Sequence, residues 1–217
     1  MKQDEKLIVI LADRQYQVVR PWGILPDGMS FRFISDLALD SVGNVFVFQR
    51  GSSPVLVFEP SGTFQSAWGQ EYINDAHGIS ISADDRVFLV DRDAHQILIF
   101  TVDGTLLGRI GKRNDPQFQA PFNHPTNVAV APNGDIYVAD GYGNSVIHWF
   151  SSGGKLKRTW GQPGTGAGEF STPHSIWFDH QNRVLVVDRE NNRVQIFDRE
   201  GEYIDEWGDF FHPMDIY

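Results

Sequence analysis

Apolar positions along this chain fall into short runs, some continuous and some alternating with polar residues, as in Val45-Phe46-Val47-Phe48, Val87-Phe88-Leu89-Val90 and Val184-Leu185-Val186-Val187. Runs this short, bounded by Gly, Asn and Asp, predict strands of antiparallel sheet. Between them, Val42-Gly43-Asn44, Asn133-Gly134-Asp135 and Gln181-Asn182 supply residues that tolerate positive φ, the chemistry of a tight hairpin.

The pattern itself repeats. Phe58, Phe100, Phe150 and Phe197 each close an apolar run, and Gly62, Gly104, Gly154 and Gly201 mark the turn that follows. The interval is roughly 42 to 50 residues, the range of propeller blades rather than of shorter β-solenoid repeats. Four copies occupy approximately 36–76, 77–123, 124–173 and 174–211, ending on Trp68-Gly69, Ile110-Gly111, Trp160-Gly161 and Trp207-Gly208. Each copy reads as a four-stranded meander, which leaves its apolar faces wet unless it stacks on a neighbour. The predicted fold class is therefore all-β, a single propeller domain over 1–217. A further Trp22-Gly23, preceded by Gln15–Arg20, reads as the outermost strand of a blade whose other strands come from elsewhere. Pro213–Ile216 repeats the start of an inner strand. Together these predict four complete blades plus partial blades at both ends of a six-bladed ring. Closing that ring needs on the order of a hundred further residues. The expectation is a chain truncated relative to the functional protein; association of two copies to close a ring is the alternative.

Composition removes several functions. A formal net charge of −10 argues against a nucleic-acid partner, because phosphate binding draws its affinity from Lys and Arg. With no cysteine, thiolate chemistry and disulfides drop out. No apolar run approaches the roughly 18 residues of a membrane span. Leu7–Ala12, preceded by Asp4 and Glu5, is too short for a secretory core, so no membrane partner is expected and the compartment stays at a cytoplasmic default. The Gly-rich stretch Gln162–Phe170 reads as a connection between blades, Asp84-Asp85 and Asp4-Glu5 as solvated charges, and Lys112-Arg113 as too small for a basic patch.

Candidate chemistry lies at the start of the inner strands, which line the axis. Successive blades place Ser35, His77, Thr126, His174 and Met214 there. His77 and His174 stand two blades apart, and a third histidine two blades further on would complete a threefold cluster. Three imidazoles with an open fourth position is the arrangement of a catalytic zinc site. The plainer alternative is a pair of polar rim residues satisfied by carbonyls or water.

The motifs Asp75–Ser80, Val138–Ser145, Thr172–Ile176 and Val186–Phe197 resemble the NHL-repeat propeller of the peptidyl-α-hydroxyglycine α-amidating lyases. That resemblance implies a six-bladed propeller that holds zinc on three axial histidines and cleaves a peptidyl-α-hydroxyglycine into a peptide amide and glyoxylate. It makes His77 and His174 the first two zinc ligands, Tyr142 the active-site tyrosine, and Arg50 and Arg189 the active-site arginines. It also implies a structural calcium held partly by the backbone carbonyls of Leu37 and Ile79, whose carboxylate ligand has no counterpart before the chain ends. The third histidine belongs to a sixth blade that this chain lacks, so the 217-residue chain is expected to bind metal weakly and to be inactive by itself. A zinc-bound or tyrosine-derived oxyanion would act as base, and the arginine forks would take the carboxylate that becomes glyoxylate. Asp-Arg pairs are also ordinary turns in such blades, and Arg92 sits in one.

Two other readings stand beside this one. The first is a non-enzymatic NHL propeller binding a peptide or protein partner on its top face. The second is a propeller hydrolase with axial calcium, for which only Asp36, Asn127 and Asp215 are at hand.

Overall fold

The computed structural model describes residues 7–217; Asp4 and Glu5 lie outside the described residues. Four sheets of four antiparallel strands, each an up-and-down meander, carry the fold. The first blade comprises β3 (Phe33–Leu39), β4 (Val45–Arg50), β5 (Val55–Phe58) and β6 (Phe64–Trp68), after a hairpin of β1 (Ile8–Leu11) and β2 (Arg14–Gln17). The second has β7 (Ala76–Ile81), β8 (Arg86–Asp91), β9 (Gln96–Thr101) and β10 (Leu106–Gly111). The third has β11 (Asn127–Val130), β12 (Ile136–Asp140), β13 (Val146–Phe150) and β14 (Leu156–Trp160). The fourth has β15 (Pro173–Phe178), β16 (Val184–Asp188), β17 (Arg193–Phe197) and β18 (Tyr203–Trp207).

Alternating side chains send one set of each blade toward the next. Phe46, Phe48 and Val57 of the first blade pack with Val87, Leu89 and Phe100 of the second. Tyr137, Ala139 and Ile147 of the third pack with Ile176, Val186 and Phe197 of the fourth. A recurrent aromatic lock closes each joint. Trp68 lies against Phe100 at 5.1 Å and over Gly104, Trp160 against Phe197 at 6.0 Å and over Gly201, and Ile110 takes the same place over Gly154. A Cβ on Gly104 would stand 2.7 Å from the Trp68 ring, and its φ of +86° independently favours glycine. The Trp-Gly ending legible in the sequence is thus the joint between blades.

Trp22 makes the same lock over Gly62 and Phe58. Before it, Arg14–Gln17 is paired on one side, by Ile8–Leu11, an antiparallel partner that the local apolar run supplies. Leu25 and Met29 then cover the face of the first blade that turns away from the second. At the other end Pro213–Ile216 forms no strand. Asp84 and Asp85 are not simply solvated either. Asp85 accepts bonds from the backbone N–H and hydroxyl of Ser41, tying the second blade to the first, and Asp84 pairs with Arg86 at 2.9 Å. Gln162–Phe170 is a connection, as expected, pinned by a parallel bridge between Pro163 and Phe170. No helix among the described residues is long and apolar enough to cross a membrane.

Candidate active site

The repeat positions the site through two devices. The first is a buried acceptor at the end of each second strand. Asp91, Asp140 and Asp188 are fully buried, and each accepts backbone N–H bonds from the loop leading into its inner strand: Asn74 and Asp75, Asn123, and Ser171 respectively. Gln49 fills this position in the first blade and accepts from Arg32 N–H at 2.8 Å. The second device is a register shift at the start of the inner strand. His77 falls between the paired residues Ala76 and Ile79, and His174 between Pro173 and Ser175. A bulge breaks the side-chain alternation and re-aims the residue it carries, so both histidines turn toward the axis.

There the two imidazoles meet, with ring centroids 5.2 Å apart. His77 Nδ1 lies 2.7 Å from the Thr126 carbonyl oxygen and His174 Nδ1 2.6 Å from that of Met214. A carbonyl only accepts, so both Nδ1 atoms carry the proton and both Nε2 atoms present lone pairs. Both lone pairs converge on one atom, the Tyr142 hydroxyl, at 3.1 Å from His77 and 2.9 Å from His174. A phenol has one proton to donate, so one imidazole nitrogen faces oxygen without a hydrogen bond. Protonating one imidazole would supply the missing donor, but burial opposes the charge. Burial, reinforced by the neighbouring His174, pushes His77 down to about 3, and burial also lowers His174. Two neutral imidazoles with inward lone pairs suit a cation, and in that chemical sense His77 and His174 fit zinc. No group of three or more His, Cys, Asp or Glu side chains arranged for a metal occurs among the described residues. Thr126 explains why the blade between them adds no ligand: its hydroxyl turns to the Pro173 carbonyl at 2.7 Å while its own carbonyl anchors His77.

The predicted arginines also arrive. Arg189 Nη1 lies 3.4 Å from the Tyr142 hydroxyl, with its guanidinium 5.4 Å from the phenol ring centre. Arg50 Nε donates to the carbonyl of Ala76, next to His77, and pairs with Asp75 at 3.1 Å. What the sequence reading missed is Arg92, whose guanidinium sits 5.5 Å from the Tyr142 ring centre and whose Nε is 3.0 Å from Asp75. Its signal was its repeat position: Arg50, Arg92, Gly141 and Arg189 each follow the buried acceptor of their blade. Gly141 has no side chain because a Cβ there would stand 2.0 Å from the Pro173 carbonyl oxygen, and Tyr142 takes the space instead. His212 points elsewhere, toward Glu190 at 3.4 Å.

Beneath the histidines the axis holds a cavity of about 110 Å³, lined in part by Asp36, Asn127 and Asp215. Leu37 and Ile79 sit beside it, and the Asp36 carboxylate accepts the N–H of both, at 2.7 and 2.9 Å. Asp36, one of the axial acids read from the sequence, therefore lies against the backbone of these two residues. Burial raises Asp36 to about 7, with a contribution from the negative charge of Asp215.

A family model described as a 6-bladed beta-propeller matches residues 119–210. The human NHL repeat-containing protein 3 is 32% identical over 191 residues, covering 81% of this chain and 55% of that protein. The chain is an NHL-type β-propeller. The peptidyl-alpha-hydroxyglycine alpha-amidating lyase 1 of Drosophila melanogaster is 31% identical over 202 residues, 76% of this propeller chain and 37% of the relative. The mouse peptidyl-glycine alpha-amidating monooxygenase is 34% identical over 200 residues, 76% of this chain and 20% of the relative. The chain thus spans between a fifth and somewhat over half of these relatives. Among solved structures, virginiamycin B lyase from Staphylococcus aureus matches with a TM-score of 0.62 at 19% identity, over 82% of this chain and 56% of that one. A chain of the nidogen/laminin complex matches with a TM-score of 0.68 at 17% identity, over 84% and 67%. At that identity these two structures share the propeller fold.

Proposed function

We propose that this propeller is the axial part of a zinc-dependent lyase that acts on a peptidyl-α-hydroxyglycine or a related α-hydroxy amide and releases an amide and glyoxylate. The observation that carries the reading is the convergence of two lone-pair-bearing imidazole nitrogens on the Tyr142 hydroxyl. Relatives named as α-amidating lyases at 31 to 36% identity support it. His77 and His174 would hold the zinc, which when bound supplies Lewis-acid polarisation of an oxygen ligand. The chain's own groups account for the rest. The substrate hydroxyl must lose its proton as the carbon–nitrogen bond breaks and the departing amide nitrogen must gain one, so the net change moves one proton from oxygen to nitrogen. In its phenolate form Tyr142, whose oxygen lies beside both imidazoles, would take the proton from the substrate hydroxyl and return it to the amide nitrogen. Arg189 orients the phenol, and Arg50 presents its remaining N–H groups to the substrate carboxylate, which a guanidinium fork binds bidentately. The carbonyls of Leu37 and Ile79, with Asp36 beside them, are oxygen donors of the kind calcium takes, and we assign a structural calcium there.

Similarity to NHL repeat-containing protein 3 supports a second reading, in which the same face binds a peptide or protein partner without chemistry. Metal content by plasma mass spectrometry, with glyoxylate release from a peptidyl-α-hydroxyglycine, both measured on the protein extended through the blade expected to carry the third histidine, separates the two. The lyase reading expects bound zinc that both His77→Ala and His174→Ala abolish. A zinc-free protein that releases no glyoxylate with zinc added would leave the binding propeller.

A further inference from the structure

Arg92 is not needed for the chemistry proposed above, yet it stands at the same repeat position as Arg50 and Arg189 and closes on the same tyrosine. The guanidinium groups of Arg92 and Arg189 both lie over the Tyr142 ring, at 5.5 and 5.4 Å from its centre. Arg50 and Arg92 share one counter-ion: Asp75 Oδ1 is 3.1 Å from Arg50 Nε and Asp75 Oδ2 is 3.0 Å from Arg92 Nε. Asp75 is itself held by the bond from its backbone N–H to the buried Asp91. Two guanidiniums side by side repel, and a fixed carboxylate between them is the device that keeps both in place.

The pattern of commitments is the same in all three arginines. Arg50 Nε donates to the Ala76 carbonyl and Arg92 Nε to Asp93, each with Asp75 at ion-pair distance, and Arg189 Nε donates to Glu190. Each is therefore gripped at the near end, and the terminal nitrogens of Arg50 and Arg92 enter no hydrogen bond among the described residues. The acidic partners Asp75, Asp93 and Glu190 balance the charge of the empty site, so it is not a general basic patch. It is a set of oriented donors, in a chain of net charge −10, beside the tyrosine and the histidines.

From this geometry we infer that Arg92, braced by Asp75, is a third carboxylate-binding arginine of the site and a determinant of specificity for acids over their neutral amides. The inference rests on the lyase reading for its substrate class, an N-acyl amino acid carboxylate, but its test reads binding and does not need turnover. Hippurate and its neutral amide, hippuramide, are the probes, with affinity measured calorimetrically on the same extended protein. Arg92→Ala should weaken hippurate by about tenfold or more, as loss of a charge-assisted pair does, while leaving hippuramide unchanged. Arg92→Lys should recover part of the loss by restoring charge without the fork. Because three-quarters of the Arg92 side chain is covered, the deciding readout is the ratio of the two affinities, which a general loss of stability does not change. Unchanged hippurate affinity in Arg92→Ala, equal weakening of both probes, or no hippurate binding by the wild-type chain would each overturn the inference. If hippurate selectivity falls in Arg92→Ala while no glyoxylate is ever released, the anion site stands and the lyase reading fails.

Discussion

Replacing Asp36 by Asn should change how stability responds to pH, because two buried groups of opposite character share the axis. Burial and the charge of Asp215 raise Asp36 to about 7, while its value in an unfolded chain is near 4. Between those values the folded protein holds a proton that the unfolded chain has lost, so Asp36 favours folding at low pH and its contribution fades as pH rises from about 4 to 7. A gap of roughly three pH units at ~1.4 kcal/mol each gives up to about 4 kcal/mol. His77 works the other way. Burial, with the neighbouring His174, holds it at about 3 against roughly 6.5 when unfolded, so its penalty is felt at low pH and disappears as pH rises, a change of up to about 5 kcal/mol. In the wild-type chain the two slopes largely cancel between about pH 4 and 6.5. Asn at position 36 can keep the bond from the following N–H, as Asn127 Oδ1 does at 2.6 Å against 2.7 Å for Asp36, and its loss of the Ile79 N–H bond is a cost that does not vary with pH. Urea unfolding followed by tryptophan fluorescence, with chelator present and at pH steps from 4 to 8, isolates the effect. The stability of wild type minus that of Asp36→Asn should fall by up to about 4 kcal/mol across the window, all other groups cancelling in the difference. A difference that stays flat within about 1 kcal/mol would refute the reasoning that Asp36 is held protonated by the fold.

Two further outcomes can be measured with similar means. Gly104→Ala forces a Cβ into the Trp68 ring at a φ of +86°, whereas Gly43→Ala, at +89°, meets nothing nearer than Pro60 at 3.5 Å; the first should cost about 1–3 kcal/mol more in urea unfolding, and equal losses would mean the aromatic lock bears no strain. Zinc affinity should begin to weaken at a lower pH than for ordinary imidazoles, because burial lowers both His77 and His174; a tenfold weakening across pH 6.5 would show that the pair is solvated.

The fold was legible because blades are local. Each meander's strands, turns and closing Trp-Gly are written within one repeat, and even the joint between blades is a residue pair at a fixed interval, such as Trp68 with Gly104. The local partner of Arg14–Gln17, the strand Ile8–Leu11, was not legible because no earlier copy of the repeat stands there to predict it. Of the site, residue types and repeat positions were legible. The tautomer of the histidines was not, since it depends on carbonyls of Thr126 and Met214 that are 49 and 40 residues away. Nor was the bulge that turns His77 and His174 inward, which is a register event with no residue type of its own.

Repetition itself misled the reading of Arg92. A motif that recurs in several blades looks structural, and the Asp-Arg pair recurs in the second and fourth. Yet in a propeller, equivalent positions are also equidistant from the axis, so a side chain repeated at the top of a second strand is repeated around one mouth. The buried member of the pair, Asp91 or Asp188, does the structural work by holding the loop that leads into the inner strand, and it is fully buried in both blades. The member that follows it is free of that duty. Where it is arginine, in Arg50, Arg92 and Arg189, it reaches the ring of Tyr142 or the backbone beside His77; where an arginine would collide with Pro173, the chain has Gly141 and the tyrosine itself. One repeated dipeptide therefore carries two separable roles, and substituting the acidic half should cost stability while substituting the basic half should cost binding.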